Sequence, residues 1–146
     1  MAEIRPFKAL RYNLEKAGSI QELTCPPYDI VSEEQRQQYL GRNGYNVIRL
    51  ELPKEGANPY REAARTLNLW RSEDVLQLDM EAGFYLYEEE FLSQVDQGET
   101  RRVLGLVCRV RLEDFANGVV LPHEETLSKA KEDRFQLLSA TRCNFS

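Results

Sequence analysis

The chain has 146 residues, of which 42% are hydrophobic and 29% are charged. These values are ordinary for a globular protein and exclude collagen-like, disulfide-scaffold and disordered classes. The net charge of −5 repels polyanions, so we do not expect nucleic acid as a partner. Three cysteines without a CxxC pair argue against zinc fingers and disulfide frameworks and favour the cytoplasm. No apolar run is long enough for a membrane span, and no signal peptide is evident.

The first third of the chain contains short elements with clear boundaries. Residues 4–10 predict a strand, and the polar residues 13–22 predict a connection to a rigid turn at Pro26 and Pro27. Ser32 is predicted to cap a short helix, because Gln35 three positions later completes a capping box. Gly41 is the expected end of that helix.

Alternation and helical spacing then predict a strand followed by a helix. Residues 45–52 alternate apolar and charged side chains, as in a half-buried strand. Asn58 as the cap and Pro59 at the first helical position open the next helix. Its apolar residues recur at helical spacing and end at Trp70, which we expect in the core.

The second half predicts a β-hairpin and a final helix. Residues 83–92 and 101–112 are strand-like on either side of a turn. Alternation predicts one buried face, made of Leu104, Leu106, Cys108, Val110 and Leu112, and the Glu88 to Glu90 run could pair with arginines opposite. A helix is expected at about residues 129–141. The fold class predicted is α+β: a single domain over residues 1–146, in which short helices pack a mixed sheet that contains the antiparallel hairpin.

The only histidine lies in the segment most suggestive of chemistry. His123 is the side chain whose charge changes near neutral pH, and the carboxylate Glu124 and the hydroxyl Thr126 are close to it. The HExxH zinc motif is absent because position 127 is leucine, and no P-loop or GxGxxG motif occurs, so we expect no zinc, NAD or haem. The alternative is a hydrogen-bonded structural histidine in a solvated loop.

The start of the last helix could bind an anion. Lys131 and Arg134 supply cations there, and Arg134 offers a planar fork for a phosphoryl group. Asp133 could line the same site or simply cap the helix. Tyr28 and Asp29 could form a facing wall, but the residues alone favour the simpler interpretation, a rigid turn after the two prolines.

Several motifs together resemble domain-of-unknown-function family 1015. The signature stretch runs from Leu121-Pro122-His123-Glu124 and Thr126-Leu127 to Lys131, Asp133-Arg134 and Leu137-Leu138. The segments Ile4 to Tyr12, Pro26 to Ile30 and Tyr45 to Leu50, with Trp70, occur in the family's order. Family members are typically more than twice as long, so the resemblance implies that this is an N-terminal piece, with apolar surface left for self-association.

The resemblance also implies a function, because some family members phosphorylate free L-serine with pyrophosphate or a nucleotide as donor. On this hypothesis Glu124 is a base or a metal-site carboxylate and His123 is catalytic, while Thr126, Arg134 and Lys131 bind phosphate. Tyr28, Asp29 and Asp133 complete the wall, and Mg²⁺ is the expected cofactor, with no assigned ligands. The alternative is a ParB-like module that binds a nucleotide or protein partner without turnover. We expect a piece of the chain alone to be inactive.

Overall fold

The computed structural model describes residues 1–93, 95, 98–122 and 128–145. Its contacts divide the chain into two compact units. Unit 1 comprises Met1–Ala9 and Leu78–Glu124, and unit 2 comprises Leu10–Gln77 and Glu125–Ser146. Helices and small antiparallel sheets confirm the α+β class. The single domain over residues 1–146 stays a prediction.

The strands pair two by two. They are β1 (Ile4–Arg5), β2 (Leu10–Tyr12), β3 (Leu76–Leu78), β4 (Tyr85–Leu92), β5 (Thr100–Val107) and β6 (Arg109–Val110). Within the described ranges, β1 pairs with β6, β2 with β3 and β4 with β5, so the strands form three two-stranded sheets rather than one mixed sheet.

Most of the helices belong to unit 2. They are α1 (Leu14–Ala17), α2 (Ile20–Leu23), α3 (Glu33–Arg42), α4 (Ile48–Glu51), α5 (Pro59–Ser72) and α6 (Ser128–Thr141). Two 3₁₀ helices cover Tyr28–Ile30 and Phe115–Asn117. None of the helices in the described part of the chain is both long and apolar enough to cross a membrane.

The hydrophobic core of unit 2 is built around α5. Its buried residues Leu67 and Trp70 contact apolar side chains from the surrounding turns and from β3. The other members of this core are Ala17, Leu23, Leu50, Val75 and Leu76. The chain after α6 contributes as well, because Cys143 and Phe145 pack against the same cluster.

The predicted helix starts are confirmed. The Ser32 side chain accepts a hydrogen bond from the Gln35 backbone, and the Gln35 side chain accepts one from the Ser32 backbone. The Asn58 side chain accepts from the backbone N–H of Arg61, with Pro59 at the first helical position. These caps satisfy N–H groups that have no partner inside the helix.

The strand predicted over residues 45–52 is wrong, because this segment contains the single-turn helix α4. Asn46 explains the difference: its buried side chain donates to the backbone carbonyls of Glu22 and Thr24 and accepts from the N–H of Ile48. These bonds fix the start of a helical turn. Ile48 and Leu50, assigned to the apolar face of the strand, are nevertheless buried.

The connection predicted over residues 13–22 is also different in the structure. It forms the two short helices α1 and α2, and the Asn13 side chain caps the first of them by accepting from the N–H of Glu15. The predicted strand at residues 4–10 is divided between β1 and β2. One isolated bridge, between Phe7 and Gly83, lies in that interval.

The hairpin of unit 1 is confirmed, and its register explains the charge pairing. Strand β4 pairs antiparallel with β5, placing Glu88 opposite Leu104 and Glu90 opposite Arg102. The Arg102 side chain lies 2.9 Å from a Glu88 carboxylate oxygen and 3.8 Å from one of Glu90. The expected pairing of this glutamate run with an arginine is therefore present.

The predicted buried face of the hairpin is wrong. Leu104, Leu106, Val110 and Leu112 are all exposed, and Leu106 retains 49% of its accessible surface. Both faces of β5 are open, since Val103 and Val107 on the opposite side are exposed as well. Alternation predicts which side chains share a face, but the packing partner that would bury them must come from elsewhere in the structure.

We expect Leu106→Ala to lower the free energy of unfolding by only about 1 kcal/mol or less, because a half-exposed leucine has little apolar surface to lose. The buried Leu67→Ala should cost about 2–5 kcal/mol, since it also leaves a cavity. Denaturant unfolding of the two variants measures the difference. An equal loss in both would mean that the hairpin face is covered in solution.

Candidate functional site

Part of the predicted site lies outside the described residues. His123, Glu124 and Thr126 belong to this part, as does Glu125, to which no role is assigned. Along the chain they directly precede α6, which carries Lys131, Asp133 and Arg134. Their roles stay predictions.

Tyr28, Asp133 and Arg134 lie together in unit 2, although more than a hundred positions separate Tyr28 from the other two. The guanidinium carbon of Arg134 is 3.7 Å from the centroid of the Tyr28 ring, a cation–π contact. Its Nε donates to a carboxylate oxygen of Asp133 at 2.9 Å, and its Nη2 donates to the same oxygen. Three predicted residues thus form one contact group.

Local structure explains how these side chains are held. Pro27 is the residue before the 3₁₀ helix Tyr28–Ile30, and its fixed φ sets the position at which Tyr28 begins. Nη2 of Arg134 also donates to the backbone carbonyl of Glu51 at 2.9 Å. Glu51 is the last residue of α4, where carbonyls lack partners inside the helix. Arg134 therefore supplies a hydrogen-bond donor to a carbonyl at the end of α4 and also stacks on the Tyr28 ring.

Asp133 joins the final helix to α5. Its second carboxylate oxygen accepts a hydrogen bond of 2.9 Å from the hydroxyl of Tyr60. That bond raises the pKa of the Tyr60 hydroxyl, because it favours the protonated form, and burial acts in the same direction. Asp133 is thus engaged on both oxygens, and it positions Arg134.

A cavity of about 220 Å³ is lined in part by Arg134. Its lining combines one cation, one carboxylate, two aromatic rings, an amide, a thiol and two leucines. The lining residues are Tyr28, Glu51, Arg134, Leu137, Leu138, Cys143, Asn144 and Phe145. Lys131 and Asp29 are exposed and are not among them.

Glu51 is a site residue that the sequence analysis missed. Burial raises the pKa of its carboxyl group, and the nearby charge of Arg134 opposes the shift. The alternation over residues 45–52 placed this side chain on the charged face of a predicted strand, so the pattern gave no reason to expect it at a site. Tyr60 was missed for a similar reason, since its helical spacing indicated only core packing.

The Cys25 thiol interacts electrostatically with the Glu51 carboxylate. Burial raises the pKa of the Cys25 thiol to about 11, and the Glu51 carboxylate adds to the shift. The protonated thiol therefore stabilises the fold below the unfolded pKa of about 8.5, and this contribution is lost as the pH rises towards the folded value. A neutral thiol is a poor nucleophile.

We expect iodoacetamide to alkylate Cys25 of the folded chain at pH 8 at least about tenfold more slowly than in the guanidinium-unfolded chain, because the thiolate is the reacting species. Mass spectrometry of quenched time points gives both rates for the peptide that contains Cys25. Equal rates would show that the Cys25 thiol is not buried and that its pKa is not raised by folding.

The described residues contain no group of three or more His, Cys, Asp or Glu side chains placed to hold a metal ion. The carboxylates of Asp133 and Glu51 both interact with the charge of Arg134, and Asp133 already binds Arg134 and Tyr60. This part of the site therefore presents a single cation whose charge is offset by nearby carboxylates. It does not by itself build a metal centre.

Comparison with known proteins gives a single positive result. No curated protein and no solved structure matches this chain. The family model described as "Protein of unknown function (DUF1015)" matches residues 4–146. That match covers nearly the whole chain and includes the contact group of Tyr28, Asp133 and Arg134, so the chain belongs to the DUF1015 family.

Proposed function

We propose that this chain takes part in cytoplasmic phosphoryl transfer to a small hydroxyl metabolite, with free L-serine as the acceptor and pyrophosphate or a nucleotide as the donor. The resemblance of the sequence to serine-phosphorylating relatives motivates the substrate. The observation that supports it is the Arg134 guanidinium, held by three contacts at the wall of a small cavity.

An arginine fixed in this way is suited to a phosphoryl group. Phosphoryl transfer depends mainly on positioning and on neutralising charge, and it needs little covalent chemistry from the protein. The contacts described for Arg134 use Nε and Nη2, which leaves Nη1 without a partner among the described residues. A donor that is already oriented loses less entropy when it binds an oxyanion.

Arg134 alone would be a weak anion site, because the carboxylate of Asp133 offsets its charge. The proposal therefore needs the residues that precede α6 in the sequence. His123 and Thr126 would surround the phosphoryl group, with Lys131 as a further cation. Glu124 would orient the acceptor hydroxyl as a base, or bind the metal of the donor.

Mg²⁺ is the expected cation of this reaction. It commonly binds through one or two carboxylates together with the phosphates of the substrate, so a preformed all-protein cage is not required. We expect it to arrive with the phosphate donor, and we assign it no ligand among the described residues.

A direct assay tests the proposal. The 146-residue chain and the longer protein that the resemblance implies are each incubated with serine, Mg²⁺ and either pyrophosphate or ATP, and phosphoserine is quantified. Removing one charged donor from a transferring phosphoryl group typically costs about a hundredfold or more in rate, so Arg134→Gln should lower turnover by that order. Arg65→Gln is the matched control, since Arg65 is an exposed arginine paired only with Glu62 among the described residues.

The outcomes separate the two functional classes. Phosphoserine formation that Arg134→Gln abolishes and Arg65→Gln preserves supports the proposal. No turnover by either protein, together with saturable binding of a nucleotide or of DNA, would replace it with the ParB-like binding module.

A further inference from the structure

We propose that the β1–β6 ribbon of unit 1 carries a second anion site, which binds a ligand bearing one or two phosphoryl groups through Arg5, Arg109 and Arg111. This proposal does not depend on the proposed function, because it concerns other residues. Three arginines cluster on this surface, although the chain as a whole is acidic.

The ribbon register places the arginines on one face. Arg5 lies directly opposite Arg109, and Ile4 lies opposite Val110. The backbone N–H of Arg111 donates to the carbonyl of Glu3 at 2.9 Å, which extends the pairing by one residue. Since side chains alternate along a strand, residues two apart share a face. Glu3, Arg5, Arg109 and Arg111 therefore point to the same side of the ribbon.

These four residues, with Val110, line a cavity of about 220 Å³. Three cations and one carboxylate give the lining a net charge of +2. Glu3 forms ion pairs with Arg5 at 2.7 Å and with Arg111 at 3.2 Å, so one carboxylate orients two guanidinium groups. Glu113 lies 3.6 Å from Arg111 but does not line the cavity. No ion pair links Arg109 to any residue that the structure describes.

The cross-strand pair of arginines, Arg5 opposite Arg109, favours binding of an anion between them. Like charges directly opposite each other in a ladder destabilise it. Between Arg5 and Arg109, an oxyanion would convert that repulsion into two charge-assisted contacts, and the guanidinium fork matches phosphate oxygens bidentately. Pockets for drug-sized ligands measure roughly 300–1,000 Å³, and this cavity of about 220 Å³ is smaller, so we take inorganic phosphate and pyrophosphate as the ligands to test.

Calorimetric titration of the chain with inorganic phosphate and with pyrophosphate, at constant ionic strength, tests the site. Saturable binding is expected, with pyrophosphate the tighter ligand because it can reach all three arginines. Arg109→Gln should weaken pyrophosphate binding on the order of tenfold to a hundredfold, the range for losing a hydrogen bond to a charged group. Arg65→Gln, an exposed arginine in unit 2, should leave the affinity unchanged.

Melting without added anion gives an independent readout. If the role of Arg109 is to bind the anion, Arg109→Gln should melt at the wild-type temperature or above it, because the substitution removes the repulsion between Arg109 and Arg5. A lower melting temperature would mean that Arg109 stabilises the ribbon itself. That result, an unchanged affinity in Arg109→Gln, or an equal loss in Arg65→Gln would each overturn the proposal.

Discussion

Trp70→Ala should lower the free energy of unfolding by about 3–5 kcal/mol, as expected for the loss of a buried tryptophan from a well-packed core. Trp70 retains only 3% of its accessible surface. Its ring contacts that of Tyr12 with centroids 6.1 Å apart and that of Tyr45 at 5.8 Å in an edge-on arrangement. The substitution removes both aromatic contacts and opens a cavity at the end of α5.

The neighbouring residue provides a matched control. Leu69 is on the same helix but retains 52% of its accessible surface, so Leu69→Ala should cost under about 1 kcal/mol. Chemical denaturation followed by circular dichroism measures both variants without relying on tryptophan fluorescence. Similar losses at positions 69 and 70 would mean that α5 does not present Trp70 to the core.

The parts of the fold that the sequence predicts well are those determined by near neighbours. The Ser32 capping box needs only Gln35 three residues later, and the start of α5 needs only Asn58 and Pro59. Each of these interactions closes within one helical turn. The apolar stripe of α5 is equally local, and its members Leu67 and Trp70 are buried as expected.

The prediction failed where a distant segment determines the structure. The alternation over residues 45–52 is real, but Asn46 binds backbone carbonyls of the segment around Glu22 and Thr24, and this contact favours a helical turn. The hairpin is a second instance, because its strands and charge pairs follow from local pattern. The burial of Leu104 and Leu106 would require a packing surface that the described residues do not provide.

In the candidate site, too, the features set by neighbouring residues could be predicted and those set by distant segments could not. Arg134 and Asp133 were identified from their position in a charged helix and from the family motif, and Tyr28 from the turn after two prolines. The carbonyl of Glu51 could not be identified, because a backbone oxygen has no sequence signature until the end of α4 is known. Asp133 had two interpretations in the sequence, and its bond to Tyr60 links α6 to α5, while its bond to Arg134 lies within α6.

Glu124→Gln should lower serine phosphorylation about a hundredfold or more, within the usual range for loss of a general acid or base. Glutamine keeps the size of the side chain and removes both the proton acceptor and the negative charge. If Glu124 orients the acceptor hydroxyl or binds the metal of the donor, the rate falls while the melting temperature stays near the wild-type value. A coupled assay for phosphoserine and a thermal melt measure the two quantities.

Glu125→Gln is the control that makes this result specific. It removes the same charge one position further along the chain, at a residue to which no role is assigned, so a general electrostatic effect of the acidic segment would lower both rates equally. A loss confined to Glu124→Gln would place the chemistry at that carboxylate. Wild-type turnover by Glu124→Gln would remove this carboxylate from the mechanism, as base and as metal ligand alike.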